Sequence, residues 1–422
     1  MRRTAPAVLT AFMGLLLVVL AAGAGPAYAQ GEALLGTITN KGKPVQGVEV
    51  RVQSSGGQEV GKDTTDAQGR WEVAVDQAGD YRVEVVEDSL PEGVGLRNPD
   101  NNPLTVPVFE GQPRTVLFPL GEGTRDVENK WEQGIQLAVE GLQFGLIIAM
   151  GAIGLSLIFG TTGLVNFAHG ELVTLGALIC FWINVDGGIH LIPAAILAIA
   201  LSGALGWAQD KGMWGVLRRR GTGLIAMLVV SIGLSLFLRF FFLYLFGGST
   251  RAYDQYQAQA AIDLGPISLA PKGMVSIALS TAVLVAVGLA LLKTRIGKAT
   301  RAVADNPALA EASGIDVERV IRIVWIAGAG LAGLGGILLG VSQLVSFQMG
   351  FQILLLVFAA VILGGLGTAF GALVGSLVVG VFVQVSTLWV PPELKNVGAL
   401  MVLIVILLIR PQGILGRAER VG

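Results

Sequence analysis

From Ile323 to Pro392 the chain carries no Asp, Glu, Lys or Arg. One crossing of a bilayer's hydrocarbon takes about 20 apolar residues, so a run of this length must cross it several times. The whole composition agrees: 53% of residues are hydrophobic and 14% charged, where a soluble domain carries about 25% charged residues, and the mean hydropathy is +0.69. Inside lipid every backbone N–H and C=O must be satisfied within the chain, which makes helices the natural crossing elements. The 59 glycines suit such helices, because small side chains let backbones approach where lipid gives no hydrophobic drive for association. A net charge of −1 supplies no basic field for nucleic acid. The lone Cys180 excludes an intramolecular disulfide.

The rule of about 20 apolar residues per crossing predicts an all-α polytopic bundle of about nine spans, near 138–160, 168–185, 189–209, 223–246, 273–292, 322–343, 348–366, 369–390 and 396–410. The tight Gly364-Gly365-Leu366-Gly367-Thr368 turn leaves a re-entrant course open for one of its neighbours. The N-terminus reads as an address: Arg2 and Arg3, the apolar Ala7 to Ala22, then the small-x-small Ala27-Tyr28-Ala29 predict a cleaved signal peptide over 1–29. An uncleaved first span is the alternative, and either outcome puts the following segment outside. Alternate loops then place Lys211, Arg218, Arg219, Arg220, the stretch Lys293–Arg322 and Arg410, Arg417 and Arg420 inside, against Arg251, Lys272 and Lys395 outside. That asymmetry is what the positive-inside rule requires, and an odd number of spans brings the C-terminus inside. The expected layout is a signal peptide (1–29), an extracytoplasmic domain (30–125), a linker (126–137), a multi-pass plasma-membrane domain (138–416) and a cytoplasmic tail (417–422).

The extracytoplasmic segment is a different kind of polymer. Val48-Glu49-Val50-Arg51-Val52, Trp71-Glu72-Val73-Ala74-Val75 and Tyr81-Arg82-Val83-Glu84-Val85 alternate with period two, the pattern of half-buried strands. Turn residues punctuate them at Asn40-Lys41-Gly42, Ser54-Ser55-Gly56-Gly57, Asp66-Ala67-Gln68-Gly69 and Ala78-Gly79-Asp80, which predicts an antiparallel all-β sandwich. Pro91 to Pro113 reads as a long loop before a last strand at Thr115–Leu120. Gly36-Thr37-Ile38, Pro44-Val45-Gln46-Gly47-Val48, Thr64-Thr65-Asp66-Ala67-Gln68-Gly69 and Gly79-Asp80-Tyr81 resemble the carboxypeptidase-regulatory-like family of immunoglobulin-like sandwiches. No nucleophile or metal-ligand constellation occurs in the segment, so a structural or docking role is expected.

Polar chemistry is placed inside the membrane at Asn166-Phe167-Ala168-His169-Gly170-Glu171, between the uncharged runs Gly141–Val165 and Leu172–Val185. Unpaired polar groups cost several kcal/mol in hydrocarbon, so they normally face a protein interior or a wet path. Each has a plain use: Asn166 as a helix cap, His169 as a neutral core histidine, Glu171 at a helix N-terminus. Their concurrence favours a path. Gly160-Thr161-Thr162-Gly163 before this segment and Gly364-Gly365-Leu366-Gly367 in the other half form a pair of glycine-broken segments, the pattern of a midplane solute site. Close helix packing is the alternative use of such glycines. The candidate path residues are Asn166, Phe167, His169, Glu171, Gly364, Gly365 and Gly367. Arg239, within Leu236–Phe242, either snorkels to the interface or attracts an anionic group.

The inside stretch Lys293–Arg322 is long and charged. Asn306-Pro307 is a helix start, with Asn as cap and Pro in the first turn, and Gly314 is a natural stop. The apolar side chains of Leu309, Ala312 and Ile315 on this short helix want a partner other than water, either another protein or the ends of the spans.

Gly163–Leu172, Arg301–Asn306 with Ala310–Ile315, Leu363–Thr368 and Ile409–Gly416 together resemble the permease subunits of ATP-binding-cassette importers for branched-chain amino acids, most of all the first of the two permease types such importers pair. The likeness runs from Gln133 to Gly416. It implies a transport subunit that performs no chemistry on its solute and works by alternating access. Arg301, Asp305, Asn306, Glu311, Ala312 and Gly314 would form the segment inserted into a cleft of the ATPase, since Glu311-Ala312-Ser313 with Gly314 is similar to the coupling loop of importers. The resemblance also implies a second permease subunit, two ATPase subunits carrying ATP and Mg, and an extracytoplasmic solute-binding protein. No Gly-x-x-x-x-Gly-Lys-Ser/Thr motif occurs in the chain, so no nucleotide cofactor and no metal are expected here. A signal and a sandwich are not part of the usual permease. Two readings stand beside this one: a membrane sensor using the sandwich as receptor, and an importer of a related solute such as an amide or urea. A membrane enzyme would need a constellation that His169 and His190 do not supply.

Overall fold

The computed structural model describes residues 33–120, apart from 41–42, 76, 78, 92–93, 97–101, 109–113 and 117, and residues 130–391, apart from 257–258, with isolated positions at 394, 397, 401 and 404. The predicted signal peptide, residues 121–129 of the domain junction, the Ile409–Gly416 motif, the tail and all but isolated positions of the span near 396–410 lie outside the described residues.

The N-terminal region is β-rich with one apolar core. Strands β1 (Ala33–Thr37), β6 (Arg70–Ala74) and β9 (Arg114–Val116) form one sheet in the order β6-β1-β9; β4 (Glu49–Ser54), β5 (Glu59–Thr64), β7 (Gly79–Val85) and β8 (Leu104–Val108) form a second in the order β5-β4-β7-β8. A small third sheet joins β2 (Thr39–Asn40), β3 (Lys43–Pro44) and β10 (Pro119–Leu120). Alternation sorts the side chains: Val50, Val52, Trp71, Val73, Tyr81, Val83 and Val85 are buried together, and their neighbours in sequence face water.

Two expectations needed correction. The region read as a loop contains β8, which pairs antiparallel with β7; Leu104, Val106 and Val108 do alternate, but Pro103 and Pro107 disguise them, since proline lacks a ladder N–H and belongs on an edge strand such as this one. The β-rich region is also not wholly antiparallel, because β9 pairs with β1 and β10 with β2 in parallel.

The second region is helical, with a separate core. Among the described residues six helices are long and apolar enough to cross a membrane: α1 (Lys130–Thr162), α3 (Leu191–Arg219), α4 (Leu224–Phe246), α5 (Pro271–Lys293), α8 (Val317–Gln343) and one beginning with α10 (Ala369–Val385) that runs on to Leu388. Between them lie α2 (His169–Phe181), α6 (Arg295–Asp305), α7 (Pro307–Ala312) and α9 (Met349–Gly364). Helices α1 and α8 are the most enclosed, while α4 and α5 bury about a fifth of their apolar windows, leaving broad surfaces such as Ile225, Phe240, Tyr244 and Val275 exposed.

The run near 168–185 is α2, 13 residues long and buried throughout, followed by a π-helical turn at Trp182–Asp186. That near 348–366 is α9, with 16 residues. At 1.5 Å per residue these reach about 20 and 24 Å, short of a hydrocarbon core of about 30 Å. Both follow a non-helical break at the end of a long helix: Gly163–Ala168 after α1 and Leu344–Gln348 after α8.

Candidate solute path and coupling face

The N-terminal turns of the two half-length helices meet. A Cβ on Gly350 would overlap the carbonyl oxygen of Gly170, and one on Gly170 would come within 2.8 Å of Gly350 O, so only glycine permits this approach. The Gly350 N–H donates to Thr174 Oγ1 at 3.1 Å, stitching the start of α9 to the second turn of α2. The two helices overlap antiparallel here, with Gly350 against Thr174, Leu354 against Gly170 and Phe358 against Phe167. Beyond α2 the chain turns and returns along α3, whose last turn carries Arg218 and Arg219; α9 ends in the turn Gly365–Thr368, beside the end of α1. Two positive helix ends are thus brought together inside the bundle, a site suited to an anionic group.

The polar hexapeptide occupies this junction. Asn166, His169 and Glu171 are all fully buried. Asn166 Oδ1 accepts from the Ala168 N–H at 3.1 Å. His169 Nε2 contacts the Gly151 carbonyl at 2.9 Å; a carbonyl only accepts, so the ring proton sits on Nε2. Phe167 donates its N–H to Ser231 Oγ at 3.1 Å and sets its ring against Phe358 at 5.0 Å. Asn166 Nδ2, His169 Nδ1 and Glu171 Oε2 are buried with no hydrogen-bond partner among the described residues, which is costly unless another species supplies one.

Glu171 and Arg239 are the charges that these two apolar stretches contain, and they find each other. Glu171 Oε1 accepts from Ser235 Oγ at 3.0 Å and from Arg239 Nε at 3.4 Å. The guanidinium lies over the ring of Phe351, 3.3 Å from its centroid. Arg239 therefore neither snorkels nor waits for an anion; it ties α4 to α2 and to the first turn of α9. The sequence offered half of the signal, since an isolated acid and an isolated base in separate uncharged runs are cheapest when paired, but not which helices are neighbours. Ser231, Ser235 and Arg239 recur every four residues and so share the face of α4 turned to this junction.

Gly364, Gly365 and Gly367 sit elsewhere. They form the turn from α9 to α10, with Gly365 at φ +109 and Gly367 at φ +79, and Gly364 packs directly on Gly371. Gly160 abuts Gly367, so the two glycine clusters do meet, at the far end of α1. The counterpart of the break at Gly163–Ala168 is Leu344–Gln348, which has no glycine and enters through Leu344 at φ +74.

The charged segment folds as a projecting pair of short helices. Thr294 caps α6 by accepting from Gly297 N, and Asn306 caps α7 by accepting from Leu309 N at 3.0 Å, with Pro307 in its first turn. Gly314 ends α7 at φ +85, as its position predicts. Val303, Ala310 and Val320 make a small core of their own, with Ile315 packed against it. Arg301, Asp305, Asn306, Glu311, Ala312 and Gly314 stay exposed, and Leu309 is 65% exposed. Ile315 thus finds its partner within the chain, while Leu309 and Ala312 do not. Beside this pair Arg218 bridges Asp210 at 2.8 Å and Glu318 at 3.1 Å, joining the end of α3 to the start of α8. Neither partner of Arg218 was marked by any motif.

Residues 137–407 match the family described as branched-chain amino acid transport system / permease component. The chain belongs to this permease family. Among its relatives are the high-affinity branched-chain amino acid transport system permease protein LivH of Escherichia coli (strain K12) and BraD of Pseudomonas aeruginosa, each 30% identical, each match covering 68% of this chain and 96% of the relative. The probable branched-chain amino acid transport permease protein LivH of Methanocaldococcus jannaschii is 29% identical, over 67% of this chain and 93% of its own. The permease is accordingly a multi-pass membrane protein and the membrane component of a transporter, not an enzyme. The matched span begins after the β-rich region, which lies outside it.

Proposed function

We propose that the permease moves branched-chain or closely related amino acids inward by alternating access, driven by a pair of separate ATP-hydrolysing subunits. The observation that carries this reading is the meeting of α2 and α9. Two helix N-termini converge on buried, incompletely bonded Asn166, His169 and Glu171, and an amino acid supplies what they lack: its carboxylate suits the helix ends and the Asn166 Nδ2 donor, and its ammonium suits the acceptors His169 Nδ1 and Glu171 Oε2. In the conformation described the junction is closed by the Gly170–Gly350 contact, and rocking of the helices apart would open it. Asn166, Phe167, His169 and Glu171 bound the path, while Gly364, Gly365 and Gly367 form its hinge at the cytoplasmic end. Exposed Leu309, Glu311 and Ala312 on α7, with Arg301, Asp305, Asn306 and Gly314, are the face that an ATPase cleft grips. The lever from there to the bundle runs directly into α8, whose cap Asp316 follows α7 after a few residues.

The full arrangement we propose has nine passes, counting α2 and α9 each together with the non-helical break that precedes it, and the segment near 396–410, with the C-terminus inside. A cleaved signal sends an immunoglobulin-like, carboxypeptidase-regulatory-like sandwich outside, where it meets or tethers a solute-binding protein. A second permease subunit and two ATPases complete the importer in the plasma membrane. The test is uptake of labelled amino acids by proteoliposomes containing the permease with its ATPase partners and binding protein. Nucleotide-dependent uptake of leucine, isoleucine or valine is expected; uptake confined to amides or urea, or no uptake of any amino acid, sinks the reading. Glu311→Lys should abolish uptake and stimulated ATP hydrolysis while leaving the thermal unfolding of the membrane domain unchanged, and retained coupling would remove α7 from the ATPase face.

A further inference from the structure

A cavity of about 340 Å³ opens between the first turns of α1, the start of α5, the last turns of α8 and α10 and the hairpin β11–β12 (Ile262–Leu264 and Ile267–Leu269). This is the end of the bundle opposite the charged α6–α7 pair, because α5 runs from the cavity to Lys293 and α8 starts from that pair and ends at the cavity. Its lining is a second concentration of polar side chains, apart from the α2–α9 junction. Gln136, Glu140 and Gln143 stand on α1, Lys272 on α5 and Gln384 on α10. Spacings of four and three along α1 put its three polar side chains on one face. Phe144, Ile147 and Leu339 give the cavity an apolar wall. The hairpin is held in place by Gln136, whose amide donates to Ser268 O and accepts from Ser268 N, both at 2.9 Å. Glu140 accepts from Gln136 at 2.8 Å, which leaves its second carboxylate oxygen for another donor.

The polarity continues inward. Gly273 faces Gln143, since a Cβ added there would come within 3.1 Å of Gln143 Oε1, and one and two turns further along the same face of α5 come Ser276 and Ser280, both buried with hydroxyls that have no hydrogen-bond partner among the described residues. Buried hydroxyls in a membrane helix ordinarily bond back to their own carbonyls or across to a neighbour.

We infer that this cavity is a loading site for a free aliphatic α-amino acid, with Glu140 receiving the ammonium group, Lys272 the carboxylate and the Phe144, Ile147 and Leu339 wall the side chain. The inference rests on the proposed transport of amino acids and adds to it a second, outer station distinct from the α2–α9 junction. The volume is at the lower end of small-molecule sites, about 300–1,000 Å³, and the mix of apolar wall with a few convergent polar groups is what such sites share. The Ser276 and Ser280 hydroxyls then offer successive partners as the solute moves inward.

Cys180 is buried, so single-cysteine reporters can be placed in the cavity without altering it. In proteoliposomes carrying the complete importer, Gln143→Cys and Gln384→Cys variants are treated with a charged, membrane-impermeant maleimide, and labelling of this chain is followed. Both positions should label, and L-leucine at about ten times its Kd should slow labelling about tenfold. Leucine's uncharged-end analogues, 4-methylpentanoate and 3-methylbutylamine, should protect weakly. Glu140→Gln and Lys272→Met should each remove the protection by leucine. Labelling that leucine does not slow, in an importer that still takes leucine up, overturns the loading site and leaves the transport reading intact. Equal protection by either analogue overturns the assignment to a zwitterion, and failure of both reporters to label shows that the cavity does not open outward. An importer that carries no amino acid overturns the parent reading and this inference together.

Discussion

The breaks before α2 and before α9 answer one physical demand in two ways. Each interrupts a helix where backbone groups have no water to bond, and each must satisfy those groups inside the protein. Gly163–Ala168 does so with side chains: Asn166 bonds Ala168 N, Ser231 bonds Phe167 N and Thr162 bonds Leu164 N. Leu344–Gln348 does so with backbone, because Val345 exchanges both its hydrogen bonds with Arg251, N–H to carbonyl at 2.7 and 2.9 Å. The first break is therefore polar and leaves donors and acceptors to spare, while the second is a short strand-like bridge with Val345 and Ser346 buried. A polar break can exchange protein partners for a solute; a backbone-paired one acts as a fixed frame.

The largest effect expected from this difference is at the ion pair that anchors the polar break. Removing one partner of a buried pair leaves the other charge uncompensated, at a cost of about 3–5 kcal/mol. Glu171→Gln keeps the hydrogen-bonding shape but strands Arg239, and Arg239→Met strands Glu171. Each should lower the midpoint of thermal unfolding in detergent sharply and stop uptake, and the double variant should recover much of the stability without the uptake. Single variants as stable as the parent would show that Glu171 does not depend on Arg239.

Next comes the contact that joins the two breaks. Gly350→Val forces a branched side chain into the backbone of Gly170, and overpacking of this kind costs up to about 3 kcal/mol. Loss of folded protein, or a midpoint well below that of the parent, is the expected result. A Gly350→Val permease that folds and transports normally would mean that the half-helices part without consequence, and the comparison between their two entrances would lose its meaning.

How much of this arrangement is legible in the sequence follows from what each feature depends on. The first break is visible because Asn166, His169 and Glu171 are conspicuous among apolar residues, and α7 is visible because Asn306-Pro307 and Gly314 are local signals set by backbone geometry. The second break is invisible for the converse reason. Leu344-Val345-Ser346-Phe347-Gln348 has neither Gly nor Pro, and its stability comes from Arg251, some 90 residues away in sequence, through backbone groups that every residue possesses. Glycine clustering at 364–367 was legible as a tight turn, but its place at the end of α1 away from the polar junction was not, since the same residue serves turns, breaks and close packing. The Glu171–Arg239 pair needed the knowledge that α4 lies beside α2, which no local pattern contains. In the β-rich region the alternating strands were readable, and the parallel pairing of β9 with β1 was not, because register across distant strands is decided by the closed core.

A smaller effect separates backbone from side-chain support at the second break. Arg251→Pro deletes the N–H that Val345 O accepts, leaving a buried carbonyl short of a partner at about 1–3 kcal/mol. Arg251→Ala keeps that N–H and removes the guanidinium stacked near Phe246 at 5.1 Å, an exposed cation–π contact worth about 0.5–1 kcal/mol. Proline should therefore cost more than alanine in the unfolding midpoint. The reverse order would assign the anchoring to the arginine side chain and make the two breaks alike.

The finest discrimination lies in two conservative truncations. Asn166→Ala removes the acceptor of the Ala168 N–H, a cap-like bond whose loss costs about 1 kcal/mol, and it also deletes the buried amide nitrogen that lacks a partner among the described residues. The net destabilisation should thus fall at or below that figure, while uptake falls much further, because the atoms removed are those left over for a solute. Ser346→Ala, in the backbone-paired break, should change stability by less than about 0.5 kcal/mol and leave uptake as it was. Unfolding midpoints and initial uptake rates measured on the same preparations separate the two quantities. If Asn166→Ala loses stability and uptake in proportion, the first break is a structural device like the second, and the spare polar atoms at its centre serve the fold alone.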